Sequence, residues 1–164
     1  MRDNFIEEMY RKYYGSLKLM ACTYTHSEPM AEDLVQSAFL KAMISYEDTG
    51  SFLSWANTVM RNEFYNICRK DNRLTDIENY GYEYFKAQDD ILAEYIEKEE
   101  KRELYTMISM LPMKYREVMI ESVYLSKSNE EIARDRGVSE GSIRQIRSRA
   151  KKMLIKMMEV RDGE

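Results

Sequence analysis

Helix breakers are nearly missing from this chain: its 164 residues hold two prolines and six glycines. Few tight turns and long helices follow, so the expected fold class is all-α. Cysteine and histidine are as scarce, with Cys22, Cys68 and a single His26. The cysteines lack CxxC spacing and fall inside apolar helical patterns, which fits reduced, partly buried thiols better than a zinc site built with His26. A histidine-dependent triad has only His26, at a predicted helix end, to draw on. No glycine-rich phosphate loop is present. The carboxylate pairs Glu32-Asp33 and Glu130-Glu131 sit where helix N-termini favour negative charge. These absences point away from an enzyme and imply no metal and no cofactor. No apolar run approaches the roughly 20 residues that span a bilayer. The first residues, MRDNFIEEMYRKYY, are charged and amphipathic, unlike a signal peptide, so a cytoplasmic location is expected.

What is present is a charged, globular composition: 33% charged, 44% hydrophobic, net charge −4. A chain of this length builds one or two small domains. The charge is uneven. Residues 1–70 carry 8 basic and 9 acidic side chains, residues 71–110 carry 5 and 11, and residues 111–164 carry 12 and 9. An acidic middle and a basic end imply weak binding to nucleic acid by the chain alone, with a partner supplying the rest of the affinity.

Apolar spacing predicts three helices in residues 1–70. The first, over 3–25, places Phe5, Ile6, Met9, Tyr13, Leu17, Met20 and Ala21 on one face. The second starts at Ser27-Glu28-Pro29 and carries Ala31, Leu34, Val35, Ala38, Phe39, Ala42 and Met43 as its stripe. After a loop at 47–50, Ser51 caps a third helix bearing Phe52, Trp55, Ala56, Val59, Met60, Phe64 and Ile67. Periodicity fades over 71–95, a polar, acidic, tyrosine-rich stretch expected to be a linker. It returns as a helix over 91–110, broken by Leu111-Pro112, and as another over 113–124. The expected organisation is a three-helix N-terminal bundle (1–70), an acidic linker (71–95) and a four-helix C-terminal domain (96–164).

The most informative segment is SNEEIARDRGVSEGSIRQIRSRAKKML, residues 128–154. Ser128 with Glu131 makes a capping box. Gly137 falls where the chain must turn with positive φ. Ser139 caps a second helix whose stripe is Ile143, Ile146 and Ala150, while Arg144, Arg147, Arg149, Lys151 and Lys152 gather away from it. Ala133, Gly137, Ile143 and Ile146 fall at the spacing of a DNA-binding helix-turn-helix, and the basic face suits phosphates and guanine edges. The plainer reading is a helical hairpin with a solvated basic face. Coincidence of caps, turn glycine, apolar spacing and one-sided charge favours DNA binding.

Three blocks in order, AEDLVQSAFLKA (31–42), SFLSWANTVMRNEFYNICRK (51–70) and LPMKYREVMIESVYLSKSNEEIARDRGVSEGSIRQIRSRAKKML (111–154), resemble bacterial RNA polymerase sigma factors of the small two-domain extracytoplasmic-function (ECF) type, within the sigma-70 family. Together they cover about two thirds of the chain. Within the last block, the run IRQIRSRAKKML looks closer to primary sigma factors. The resemblance implies an alternative sigma factor that binds core RNA polymerase, selects promoters and helps melt the −10 region. It implies core-polymerase contacts by Glu32, Asp33, Gln36, Phe39 and Lys41. It implies that Asp48, Thr49, Gly50, Ser51, Phe52 and Trp55, in and after the loop, hold the single-stranded −10 DNA, and that Arg61, Asn62, Tyr65, Arg69 and Lys70 lie near that strand or the duplex just upstream; the plainer readings are core packing for Phe52 and Trp55 and a helix C-terminal charge preference for Arg69 and Lys70. It turns Ser139, Ser142, Arg144, Gln145, Ser148 and Arg149 to the duplex −35 element, with Arg147, Lys151 and Lys152 on phosphates. An anti-sigma protein is a further implied partner. Two other readings share these residues: a stand-alone helix-turn-helix regulator, and a sigma-like adaptor that binds polymerase without initiating.

Overall fold

The computed structural model describes residues 2–47, 50–70 and 88–162, and every described element is helical. In chain order these are α1 (Arg2–Thr25), α2 (Glu28–Ser45), α3 (Phe52–Lys70), α4 (Glu99–Ser109), α5 (Met113–Val123), α6 (Asn129–Arg136) and α7 (Glu140–Asp162). Among the described residues, α1–α3 precede residues 71–87, and a short helical turn at 88–92 and α4–α7 follow them.

The helix ends obey local chemistry. Ser27 accepts the Met30 backbone N–H, with Pro29 in the first turn of α2. The Ser51 hydroxyl accepts the Ser54 N–H at 3.2 Å at the start of α3. Between α1 and α2, His26 takes a left-handed φ of 55°. The burial pattern follows the predicted stripes, with Leu17, Met20, Leu34, Val35, Ala38, Ala56 and Met60 all inside. Met43 departs from it: read as part of the α2 stripe, it is 45% exposed, because α1 and α3 cover only one side of that helix.

The expected helix over 91–110 is also shorter than its pattern. Residues 88–92 form a helical turn, the chain loosens, and α4 begins only at Glu99. Arg102 explains the break: its guanidinium donates to the Asp89 carboxylate at 2.9 Å and to the Ile96 carbonyl at 3.3 Å, satisfying the end of the short turn. The turn lies against α1, with Gln88 donating to the Cys22 carbonyl at 3.0 Å and Leu92 fully buried.

The N-terminal and C-terminal helices share one continuous apolar core. Residues such as Tyr24 and Met60 join Ile108, Leu111, Ile120 and Leu154 in it, while Val118, Ile132, Ala133 and Ile143 form a second small cluster inside the helix-turn-helix. Polar bonds follow the same seam. The Arg116 guanidinium donates to the Tyr24 carbonyl at 2.7 Å, Thr23 and Tyr124 hydroxyls pair at 2.7 Å, and the His26 ring bonds the Ser109 carbonyl. Burial, and then the nearby Arg116 charge, hold His26 down to a pKa of about 3, so it is neutral there. Cys22 is equally enclosed, and burial pushes its thiol up to about 12; both cysteines are free and buried.

Candidate nucleic-acid and polymerase interfaces

The helix-turn-helix is built by its caps and its turn. The Ser128 hydroxyl accepts the Glu131 N–H at 3.1 Å, and the Glu131 carboxylate reaches back to the Ser128 N–H at 3.4 Å. Gly137 closes α6 at φ 67°, and its successor's N–H returns to the Ala133 carbonyl at 3.0 Å. Ile143 then drops onto Ile132, Ala133 and Val118. That clamp, together with Ala150 and Leu154 buried in the main core further along, sets the angle of α7 and leaves its other side in solvent. Ser139, Ser142, Arg144, Gln145, Ser148, Arg149, Lys151 and Lys152 are all exposed. Ser139 also caps α7, accepting the Ser142 N–H at 3.1 Å. Arg144 makes only an exposed pair with Glu140 at 3.4 Å, a contact of the kind that water and salt easily replace. Arg147 differs from the expectation. Its guanidinium donates to Asn129, tying α7 to α6 instead of standing open toward phosphates.

The α3 face is built differently. Asp48 and Thr49 lie outside the described residues. Gly50 and Ser51 are exposed, and the Gly50 carbonyl accepts from the Tyr46 hydroxyl at 3.3 Å, which pins the loop end to α2. Phe52 is 5% exposed and belongs to the core. It packs on Phe39 at 5.6 Å and Tyr46 at 5.2 Å, so it supports the loop instead of offering a face to a base. Trp55 is half-buried, its ring against Tyr46 at 5.1 Å. Asn62, Arg69 and Lys70 are exposed.

Arg61 and Tyr65 are not. Arg61 donates to Glu121 at 3.1 Å and Tyr65 to Glu117 at 2.5 Å, both on α5. Arg136, from α6, completes the cluster with bonds to Glu121 at 3.2 and 3.0 Å and a further bond to Glu117. The side chains of Glu121 and Arg61 are 2% and 17% exposed. Burial, with Glu117 as acceptor, raises the Tyr65 phenol well above its ordinary range. Beside this cluster runs an open cleft of about 570 Å³, lined by Ser51, Trp55, Arg61, Glu121, Tyr124 and Arg136. Glu117, Glu121 and Arg136 were invisible to sequence reasoning as site residues. The only signal is an acid pair at i,i+4 on a helix otherwise lined by Val118, Met119 and Ile120.

On α2, Asp33, Gln36 and Lys41 are exposed as expected. Glu32 is engaged: Lys18 donates to it at 2.6 Å, Tyr14 at 2.5 Å and Gln36 at 3.1 Å. These bonds, Lys18 foremost, hold its carboxyl down at about 2. Phe39 is 5% exposed and packs against Tyr10 at 4.9 Å, so it shapes the surface from below. The surface also contains what spacing did not reveal: Leu40, Met43 and Ile44 are 61%, 45% and 82% exposed. They adjoin a shallow groove between α1 and α2 lined by Ile6, Tyr10, Phe39, Leu40 and Met43. An apolar strip rimmed by polar groups marks an interaction surface.

Comparison with known proteins agrees with this layout. Residues 9–74 match Sigma-70 region 2, and residues 101–154 match Sigma-70, region 4. The chain is 30% identical to the RNA polymerase sigma factor YlaC of Bacillus subtilis, over 96% of this chain and 93% of that protein. It is 28% identical to the ECF RNA polymerase sigma factor SigM of the same organism, over 91% and 92%. Its fold matches that of the sigma factor RpoE of Bartonella quintana, solved in complex with the anti-sigma factor NepR, with a TM-score of 0.67 and 26% identity over 96% of this chain and 98% of that one. Two sigma-70 regions in family order, each on its own group of helices, with relatives matched nearly end to end, place the chain in the sigma-70 family of RNA polymerase sigma factors, in its small ECF group.

Proposed function

We propose that this protein is an alternative, non-enzymatic sigma factor whose α2 surface docks on core RNA polymerase, whose α3 face receives the melted −10 strand and whose α7 face reads the −35 duplex. The observation that carries this reading is the pairing, on one chain, of an exposed apolar strip on α2 (Leu40, Met43, Ile44) with an exposed recognition helix on α7. The first is a protein-docking surface and the second a nucleic-acid surface. Asp33, Gln36 and Lys41 frame the strip. Residues 1–70 act as the region 2 unit, 71–95 as the connector and 96–164 as the region 4 unit. Weak affinity of an acidic chain for DNA suits this division, because polymerase supplies the effective concentration that makes two modest contacts sufficient. The protein works in the cytoplasm, where polymerase and promoters are. An anti-sigma protein is a further partner, by analogy with the NepR complex of the Bartonella protein.

The test is a pull-down with purified core polymerase, followed by run-off transcription on a fragmented genomic library. Stoichiometric binding with discrete transcripts is the expected result. Core binding without transcripts would indicate an adaptor. Sequence-specific DNA retention without core binding would indicate a stand-alone regulator.

A further inference from the structure

Glu32 stands at the edge of the α2 surface, and its carboxylate is already engaged. Oε2 accepts from the Lys18 ammonium at 2.6 Å and from the Tyr14 hydroxyl at 2.5 Å, and Oε1 accepts from the Gln36 side-chain amide at 3.1 Å. Lys18 is the anchor. Its side chain is 6% exposed, with a second carboxylate, Glu28, at 3.9 Å. Withdrawing Glu32 would leave that buried ammonium poorly paired, which is costly, so Glu32 stays in place when a partner arrives. We propose that Glu32 is a positioning residue that acts through Gln36: Lys18 and Tyr14 hold Glu32, Glu32 holds the Gln36 amide, and Gln36 presents its carbonyl oxygen as a preset acceptor for an arginine of the core polymerase. This rests on the assignment of α2 as the polymerase-docking surface.

The direction of the Gln36 amide follows from the charge of its neighbour. Lys18, and then Tyr14, hold the Glu32 carboxyl down at about 2, so at neutral pH it is ionised and can only accept. Gln36 must therefore turn its NH2 group toward Glu32, and its oxygen points away. Gln36 is exposed, and so is Asp33, its neighbour one turn back. Two acceptors thus lie side by side at this end of the surface. Leu40 and Ile44 follow on the same side of α2, about 6 and 12 Å farther along the axis. Lys41, five positions beyond Gln36, falls on another side of the helix. The surface has an acceptor end and an apolar end. The element of core polymerase that fits it places a guanidinium against Gln36 and Asp33 and apolar side chains against Leu40, Met43 and Ile44. An exposed glutamine left to itself samples several rotamers and both amide directions. Ordering it before contact removes that entropy cost from the binding step.

The test is the affinity of the full-length protein and its variants for purified core polymerase, measured by biolayer interferometry at neutral pH. Gln36→Leu should weaken binding about tenfold, the loss of one hydrogen bond to a charged donor. Glu32→Gln should cost a similar factor, because the new amide accepts from Lys18 and Tyr14, offers its NH2 to Gln36 and turns the Gln36 oxygen inward. In the Gln36→Leu background, Glu32→Gln should cost nothing further. The exchange Glu32→Gln/Gln36→Glu should recover binding, since the new carboxylate accepts from the new amide and keeps its other oxygen outward. Additive losses overturn the proposal, because Glu32 would then act independently of Gln36. Wild-type affinity in Gln36→Leu, or an exchange that recovers nothing, overturns it as well. Ile44→Glu examines the underlying reading and should abolish core binding. Core binding that survives Ile44→Glu removes α2 as the docking surface and the proposal with it. Binding lost in Ile44→Glu but indifferent to Gln36→Leu removes only the role of Gln36. Should Glu32→Gln fail to fold, Tyr14→Phe decides in its place: it should weaken core binding when Gln36 is present and leave it unchanged in the Gln36→Leu background, and any other pattern overturns the proposal.

Discussion

On α7, Arg144 and Arg149 stand in solvent with at most an exposed helical neighbour. On α3, Arg61 and Tyr65 turn inward to two carboxylates of another helix. Both helices carry basic and polar residues, three cations in the 19 residues of α3 and seven in the 23 of α7, and both would be drawn as DNA faces from residue type alone. The difference lies in what packs beside them. The α7 helix is held from one side by the small Ile132–Ile143 cluster and by Ala150 and Leu154 in the main core, and faces solvent on the other. The α3 helix packs on α1 and α2 and reaches α5 through Arg61 and Tyr65, so these two meet protein while Asn62, Arg69 and Lys70 stay exposed. A basic residue on a helix is therefore a ligand for whatever is nearest, and the tertiary arrangement decides whether that is a phosphate or a glutamate.

The contrast can be broken most forcibly from the α7 side. Ile143 is 1% exposed, and Ile143→Ala should destabilise the helix-turn-helix by about 2–5 kcal/mol. Urea unfolding would read this as an early transition, together with loss of DNA retention. The two arginines sharpen it next. Arg61→Ala should lower global stability by about 1–2 kcal/mol, because a charged hydrogen bond is lost while Glu121 keeps Arg136. Arg144→Ala should change stability by less than about 0.5 kcal/mol, since its pair is exposed. The same Arg144 variant should weaken −35 binding selectively by about 1–3 kcal/mol. Equal stability losses from the two substitutions, measured side by side in denaturant, would erase the distinction. A Gly137→Val change should cost about 1–2 kcal/mol, because a β-branched residue resists the left-handed turn. A Cβ there would meet no atom within 4 Å, so the penalty is backbone conformation and not a clash.

The same comparison extends to pH. His26 is neutral in the seam with its pKa lowered to about 3 from 6.5, so the stability it contributes is present above about pH 6.5 and is lost as pH falls toward 3. Glu32 is depressed to about 2 from 4.5, and its contribution is lost only between about pH 4.5 and 2. Denaturant midpoints followed downward in pH should therefore drop in two stages. His26→Gln should flatten the upper stage, and Glu32→Gln the lower one.

Much of the fold was legible because it is local. The capping box at Ser128, the turn at Gly137, the proline start of α2 and the cap at Ser51 each depend on residues within a few positions of one another. The misses have one cause. Met43 satisfies the helical spacing of a core residue, yet the neighbouring helices are too few to cover it. The break before α4 depends on Arg102 reaching back to Asp89 and Ile96, which periodicity cannot register. Phe39 and Phe52 were assigned to contacts, and they serve as the packed floor beneath them. Arg147 was assigned to phosphates and bonds Asn129 across the helix-turn-helix.

From the sequence alone came most of the helices, their caps, the three blocks and the family they resemble, since these rest on short-range geometry and on residue types at fixed spacing. Only the tertiary structure decided which polar faces stay open. Glu117 lies 52 positions from Tyr65 and Glu121 lies 60 from Arg61. No periodicity links residues so far apart. Their meeting is set by the apolar seam that joins α1 and α3 to α4 and α5, where burial of side chains such as Tyr24, Ile108 and Leu111 fixes the pose that the charges then complete.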